Sequence, residues 1–336
     1  MTGSALTQER RADRLYSPIE PYAVGYMPVG HGHELYVEQS GNPDGEPVVC
    51  IHGGPGGVSQ SLTRQLFDPG YFRIIQFDQR GAGRSRYADP LSHNTTSDLV
   101  EDLNRLRVTL GVNRWTIHAG SWGVALALAY ARQAIAAIRA VIFRGVFLAG
   151  RAEIDWLYAD GGASELYPDL WRTLVAPVPP GRRSEIPAAY LALLGSPDET
   201  VRLDAATRAA GWARALAMPY PSVEQPNEPS PPVGHGDVDR MRVKFHYFAN
   251  ACFLRPHELL ASAREFGGIP ATLISGERDA ICPLERAEAL ARAWRTARHV
   301  IAPGAGHAAD HPAIAAAIRQ AADDLRPVLA GGGHLQ

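Results

Sequence analysis

The chain has 336 residues, of which 46% are hydrophobic, and its formal net charge at pH 7 is −2. This length suits one large domain with an insertion or two smaller domains, and the near-neutral charge gives no reason to expect a polyanionic partner. Basic residues form no block interleaved with aromatic residues, so we expect no nucleic-acid binding. No apolar run approaches the roughly 20 residues of a membrane helix, so we expect no membrane partner.

The cysteines indicate the compartment. Cys50, Cys252 and Cys282 lie far apart and lack the spacing of metal ligands. An odd and sparse set suits a reducing compartment better than a disulfide framework. The N-terminal segment is polar and charged, without the apolar stretch of a signal peptide. We therefore expect a cytoplasmic protein with no bound metal.

The pattern of apolar residues predicts an α/β fold. Alternation around Gly30-His31-Gly32 predicts a hairpin, and short continuous apolar runs farther along are typical of buried parallel strands. Helical periodicity separates these runs, which favours a mostly parallel, doubly wound sheet with helices on both faces. The predicted strands lie at 22–29, 34–39, 47–51, 72–77, 140–144, 270–275 and 299–302, with a further short strand that starts at Trp115 and ends before the turn at Ser121. The predicted helices lie at 95–110, 122–132, 284–296 and 312–326.

A long insertion interrupts this alternation. Residues 150–268 contain helical patterns but no buried strand, and 219–239 are rich in Pro, Gly, Glu and Asn, which predicts an exposed loop. An insertion after the sixth strand would cover the edge where the strands end. We therefore predict a core domain of residues 1–149 and 269–336 with a helical cap domain of residues 150–268.

The turn after the strand that starts at Trp115 carries the first chemical signal. Small residues surround Ser121, and an Ala/Leu-rich helix follows, which is the pattern of a nucleophile elbow, G-x-S-x-G. Ala119 stands at the first glycine of that pattern and Gly123 at the second. The elbow predicts an α/β-hydrolase fold with Ser121 as nucleophile.

A serine nucleophile needs a base and an orienting acid. In this fold they follow the serine in the order acid, then histidine, at the ends of later strands. Asp279 follows the strand ending near Ser275, and His307 follows the strand ending near Ala302. Either residue alone has an ordinary structural explanation, but their joint order and position predict the triad Ser121, His307 and Asp279.

The glycine run from His52 to Gly57 follows a buried strand. A phosphate-binding loop would need a following Lys-Ser/Thr or a third spaced glycine, and neither is present. Glycines at this position let backbone N–H groups approach a developing oxyanion. We predict the backbone N–H groups of Gly54 and Trp122 as oxyanion donors.

These residues leave the bond type open. Peptidases, esterases, amidases, carbon–carbon hydrolases and acyltransferases all use such a triad, and a non-catalytic binder on this fold is a less favoured alternative. The segment 78–85 carries charges that we expect to pair internally, which indicates a structural role.

The chain resembles the prolyl aminopeptidase (proline iminopeptidase) family of serine peptidases. The resemblance spans about residues 16–324 and implies an enzyme that removes an N-terminal proline from a short peptide or small molecule without metal or cofactor. The segments that carry it are 38–45, 52–57, 77–85, 120–123, 144–147, 153–158, 246–248, 279–283 and 304–307.

The departures from the family concern recognition. Members usually have a glutamate two residues before the His-Tyr-Phe motif, where it holds the substrate amine, and this chain has Lys244 there. The family's Trp-Glu pair is Trp212-Ala213 here, and its acid-rich stretch reads Leu254-Arg255-Pro256-His257. A lysine repels a cationic amine, so we expect a shifted specificity, toward an amide or ester with a neutral or carboxylate-bearing acyl group. The aromatic residues expected to line the acyl pocket are Phe147, Trp156, Tyr158 and Phe248.

Overall fold

An eight-stranded sheet forms the centre of the molecule, in the order β1-β2-β4-β3-β5-β6-β7-β8. The computed structural model describes residues 15–221 and 233–330. β1 pairs antiparallel with β2 and β2 antiparallel with β4, whereas all other neighbours are parallel. The strands are β1 Ala23–Gly30, β2 His33–Gly41, β3 Glu46–Ile51, β4 Phe72–Phe77, β5 Trp115–Ser121, β6 Ile138–Val146, β7 Ala271–Gly276 and β8 Ala297–Ala302.

Both faces of the sheet are buried. In β3, Val48 and Cys50 pack into one apolar cluster, and Val49 and Ile51 pack into the other. This alternation follows from the two-residue period of a strand, and it explains why β3 is continuously apolar from Val48 to Ile51. The predicted mostly parallel sheet with two covered faces is confirmed.

Helices close the two faces. The helices flanking the sheet are α1 Thr96–Thr109, α2 Trp122–Ala134, α10 Leu284–Ala293 and α11 Pro312–Ala330. α1 begins with a capping box, in which the Thr95 and Asp98 side chains each accept from the other residue's backbone N–H. Its leucines Leu99, Leu103 and Leu106 are buried on one face, as the periodicity predicts.

Between β6 and β7 the described chain is helical. The bounds are α3 Arg151–Tyr158, α4 Ala163–Leu166, α5 Pro168–Val175, α6 Ile186–Leu194, α7 Glu199–Ala217, α8 His235–Ala249 and α9 Glu258–Ser262. The loop predicted over 219–239 is wrong at its end, because α8 begins at His235. The polar first turn of α8 resembles a loop in composition, and Asp237 caps it by accepting from the backbone N–H of Gly234 at 3.1 Å. Residues 222–232 of that loop lie outside the described residues.

The charges of segment 78–85 are paired, as predicted. The Asp78 carboxylate accepts from Arg84 Nε at 2.9 Å. Arg80 pairs instead with Asp102 of α1, with Nε and Oδ2 at 2.6 Å and both side chains almost fully buried. These contacts fix the loop after β4 against the sheet.

In residues 15–221 and 233–330, no helix is both long enough and apolar enough to cross a membrane. β5, β7 and β8 run parallel and therefore end at the same edge of the sheet. Ser121 ends β5, and Asp279 and His307 lie in the loops after β7 and β8, so the topology brings the three predicted catalytic residues to one edge.

Candidate active site

The turn at Ser121 is sharp. Ser121 has φ 57° and ψ −125°, a conformation that is strained for a residue with a side chain. The helix after it starts so close to β3 that a Cβ on Gly123 would lie 2.4 Å from the Ile51 carbonyl oxygen. Ala119, by contrast, lies inside β5 opposite Ile51 and Phe143, where a methyl group is accommodated. The glycine missing from the sequence pattern is therefore not needed for the turn.

Asp279 and His307 form a buried hydrogen-bonded pair. The Nδ1 atom of His307 lies 2.8 Å from Asp279 Oδ2. The other carboxylate oxygen, Oδ1, accepts from the backbone N–H groups of Ile281 and Cys282, each at 2.9 Å. The carboxylate is thus held at both oxygens and places the imidazole proton on Nδ1, which leaves Nε2 as the ring atom able to accept a proton.

The backbone around His307 is also fixed. Gly145, in β6, has φ 56°, and a Cβ there would lie 2.8 Å from His307 Cε1 and 3.1 Å from its Nδ1. Arg144 donates from Nη1 to the His307 carbonyl oxygen, and the His307 backbone N–H donates to Ala217 O at 3.1 Å. Sequence reasoning assigned Gly145 no role, because only the folded structure brings β6 against the imidazole.

The two predicted oxyanion donors lie on either side of Ser121. Gly54 has φ 134°, and a Cβ there would lie 2.5 Å from the Gly57 nitrogen, so the loop requires glycine at this position. Trp122 is the first residue of α2, and the N–H of a first helical residue has no acceptor within its helix. The role of both N–H groups as oxyanion donors stays a prediction.

Gln79 connects these two donor segments. Its side-chain Nε2 donates to the His52 carbonyl oxygen at 2.8 Å, and its Oε1 accepts from the Trp122 indole N–H at 3.0 Å. Its backbone N–H donates to His52 Nε2 at 3.0 Å, so the His52 ring is neutral with its proton on Nδ1, which donates to Gly53 O at 2.8 Å. Burial lowers the pKa of His52, which agrees with a neutral ring. Sequence reasoning placed Gln79 in a structural segment and missed this link.

Cys282 lies beside the candidate triad. Burial, with a smaller contribution from the Asp279 carboxylate, raises the pKa of its thiol well above the ordinary value. Ligand atoms of Asp279, Cys282 and His307 lie within 4.8 Å of one another. A metal prefers the thiolate, which this environment disfavours, and His307 Nδ1 is already bonded to Asp279. These donors therefore suit a hydrogen-bond network better than a metal site.

A cavity of about 250 Å³ opens beside Ser121. His307 and Gly54 line it from the core, and Tyr158, Phe248 and Lys244 line it from the insertion. Of the residues that the structure describes, no Asp or Glu lines this cavity.

The predicted pocket residues Phe147 and Trp156 lie outside the wall of this cavity. Phe147 packs behind Phe248, with ring centroids 6.0 Å apart. The Trp156 indole N–H donates to Ala280 O at 2.8 Å. The structure thus brings Tyr158, Phe248 and Lys244 to the cavity and places the other two in supporting positions.

Lys244 is a cation in a poorly solvated position. Burial, with a smaller contribution from the positive charge of Arg240, lowers the pKa of Lys244 to about 8. Within the described ranges the Lys244 ammonium has no hydrogen bond and no ion pair. Arg240 lies one helical turn before Lys244 in α8, so the two like charges repel.

A second cavity, of about 680 Å³, adjoins the first and shares Gly53, Arg144 and His307 with it. Its wall includes the glycine loop after β3, together with Arg240 and Asp310. The two cavities therefore meet at the imidazole and the glycine loop.

Comparison with known proteins agrees with this geometry. Residues 46–309 match the family model described as alpha/beta hydrolase fold. A proline iminopeptidase of Xylella fastidiosa is 42% identical over 299 residues, covering 89% of this chain and 95% of the relative. A proline iminopeptidase of Arabidopsis thaliana is 38% identical over 322 residues, covering 94% of this chain and 83% of the relative. The chain belongs to the proline iminopeptidase family. It is a hydrolase of the serine type with the α/β-hydrolase fold, as the sequence predicts.

Solved structures share the fold at lower identity. An alpha/beta fold family hydrolase from Bacillus anthracis is similar with a TM-score of 0.61 and 17% identity, covering 91% of this chain and 99% of that one. A proline iminopeptidase-related protein from Thermus thermophilus is similar with a TM-score of 0.54 and 24% identity, covering 91% of this chain and 98% of that one.

Proposed function

We propose that this family member cleaves the amide bond after a small N-terminal acyl residue, prolyl or a related group, through an acyl-enzyme at Ser121. The observation that carries the proposal is the buried Asp279–His307 pair, which opens on the same cavity as Ser121. Both relatives compared above are named proline iminopeptidase, and this name supports an amide substrate. The substrate is a short peptide or a small molecule.

In the first half of the reaction the Ser121 hydroxyl donates to His307 Nε2. His307 Nε2 takes the hydroxyl proton as Oγ attacks the acyl carbon, and Asp279 stabilises the imidazolium that forms. The carbonyl oxygen becomes an oxyanion that accepts from the N–H groups of Gly54 and Trp122.

The imidazolium then gives its proton to the leaving amine as the carbon–nitrogen bond breaks. In the second half His307 takes a proton from water, the hydroxide adds to the acyl carbon, and the proton returns to Ser121 Oγ as the acid leaves. We assign the acyl group to the cavity beside Ser121 and the leaving group to the adjoining 680 Å³ cavity, because His307 lines both and must reach the leaving nitrogen.

We further propose that residues 150–268 form a cap domain over a core domain of residues 1–149 and 269–336. The chain after α7 supports this, because Ala217 O accepts from the His307 N–H and the Tyr220 N–H donates to Arg278 O at 3.0 Å. A cytoplasmic location is part of the proposal, supported by three cysteines that are buried and free.

Labelling with a fluorophosphonate tests the mechanism. We expect covalent labelling of the intact protein at Ser121, no labelling of Ser121→Ala, and turnover of at least one of a series of prolyl, alanyl and acyl amides and their matched esters. Absence of both labelling and turnover in a folded protein would contradict the proposal and favour a non-catalytic binder. Turnover of esters alone would contradict the amide assignment and leave the acyl-enzyme in place.

A further inference from the structure

The acyl cavity is electropositive. Two cationic side chains, Arg144 and Lys244, lie in its wall, and no acidic side chain does among the described residues. The carboxylate of the predicted triad, Asp279, already accepts hydrogen bonds from His307 Nδ1 and from two backbone N–H groups. Among the described residues, the wall of this cavity therefore contributes positive charges and no carboxylate of its own.

The two cations are not equivalent. Arg144 donates to the His307 carbonyl oxygen and lies near the negative charges of Asp279 and Asp310. Among the described residues Lys244 has no such partner, and the charged neighbour that affects it in α8 is another cation, Arg240. A buried charge is stabilised when it is paired and hydrogen-bonded, and an unpaired one is unfavourable. Lys244 thus provides charge-assisted donors that have no acceptor within the part of the chain that the structure describes.

The rest of the cavity wall sets the shape of the group that Lys244 meets. Tyr158 and Phe248 line the cavity, with ring centroids 5.5 Å apart, and Leu157, Leu216 and Ile281 add further apolar surface. An apolar chain with one charged end fits such a wall, since its methylene groups contact the apolar side chains while its end reaches the ammonium.

We infer that the acyl group accepted by this chain carries a carboxylate that Lys244 binds. The inference rests on the proposed function, because it assigns the group that Ser121 acylates. A carboxylate accepts charge-assisted hydrogen bonds from an ammonium, whereas an ammonium substituent would be repelled by Lys244 and Arg144. The site then selects dicarboxylic half-amides over amides of free amino acids.

Three amides of one fluorogenic amine isolate the charge. Succinyl, butyryl and β-alanyl amides have acyl chains of matched length that end in a carboxylate, a methyl group and an ammonium. We expect kcat/KM for the succinyl amide to exceed that for the butyryl amide by about tenfold or more, with the β-alanyl amide slowest. A prolyl or β-alanyl amide turned over faster than the succinyl amide would overturn the inference.

Substitutions at Lys244 assign the preference to this residue. We expect Lys244→Met to reduce the succinyl-to-butyryl ratio by about 10- to 100-fold and Lys244→Arg to retain most of it. Lys244→Glu should invert the preference in favour of the β-alanyl amide, a gain that misfolding cannot produce. Arg242→Met is the matched control, because Arg242 lies two residues earlier in α8, pairs with Asp239 at 3.1 Å and lines neither cavity. A ratio that falls equally in Arg242→Met, or persists in Lys244→Met, would overturn the assignment.

Binding measurements keep the inference separate from the proposed function. We expect succinate to bind the intact protein more tightly than butyrate by calorimetry, with the difference lost in Lys244→Met. Butyryl amide turnover with a flat succinyl-to-butyryl ratio would overturn the inference alone. Absence of labelling at Ser121 with Lys244-dependent succinate binding would overturn the proposed function alone.

Discussion

Gly145→Ala tests whether His307 acts where the structure places it. The new Cβ would lie 2.8 Å from His307 Cε1, and carbon atoms at contact are about 3.5 Å apart or more. The imidazole must therefore move by roughly 0.7 Å, or β6 must move away from it. A misplacement of about 1 Å in an active site can reduce the rate on the order of 100-fold. We expect kcat to fall by about that factor with little change in KM.

The substitution also strains the backbone, and this effect needs its own control. Gly145 has φ 56°, and an alanine in that region costs about 1–2 kcal/mol. Gly111→Ala introduces the same strain at φ 66°, in open space and far from the site. We therefore expect both variants to lose a similar amount of stability and only Gly145→Ala to lose activity.

The assay is kcat on an amide that the wild type turns over, together with the fluorophosphonate labelling rate and the thermal unfolding temperature of each variant. A kcat of Gly145→Ala within threefold of the wild-type value would refute this prediction, because catalysis would then not depend on the observed position of the His307 imidazole. Equal losses in Gly111→Ala would show that strain rather than displacement of His307 is responsible.

Three other substitutions test separate contacts. Asp279→Asn should keep the fold and reduce kcat by about 10⁴-fold, because the asparagine amide favours the wrong imidazole tautomer of His307. Single-turnover rates measure this loss, and a loss below tenfold would contradict the prediction. Gln79→Leu should reduce kcat by about 10- to 100-fold with a smaller effect on KM, because it removes the side-chain hydrogen bonds to His52 and Trp122 that hold the two predicted oxyanion segments. An equal change in KM would indicate a role in substrate binding instead. Asp102→Asn should lower the free energy of unfolding by about 3–5 kcal/mol, because it leaves the buried charge of Arg80 without its carboxylate partner. Denaturant titration measures this change, and a loss below about 1 kcal/mol would contradict a stabilising role of the ion pair.

The sheet was predictable because its signals are local. β4 is largely apolar and buried, and its observed bounds Phe72–Phe77 coincide with the predicted ones. The order of Ser121, Asp279 and His307 was also readable, because each follows a strand whose end is marked by small or turn-forming residues. Their catalytic roles stay predictions until the variants above are measured.

The contacts that depend on tertiary approach were not predictable. Gly145 and Gln79 matter because of what lies opposite them, the His307 imidazole and the Trp122 indole, and no periodicity carries that information. The start of α8 at His235 was missed because its first turn is polar and exposed, so it has neither an apolar face nor a serine or threonine cap.

The separation of chemistry from recognition in this fold makes the Lys244 assignment testable. Ser121 and His307 are positioned by loops at the edge of the sheet, whereas Lys244 belongs to α8 of the insertion. The helix can therefore exchange one side chain without moving the elbow or the Asp279–His307 pair. It follows that Lys244→Glu should change the ratio of charged substrates far more than it changes the rate of labelling by a small uncharged fluorophosphonate. If the two changed in proportion, Lys244 would be supporting the catalytic geometry rather than selecting the acyl group.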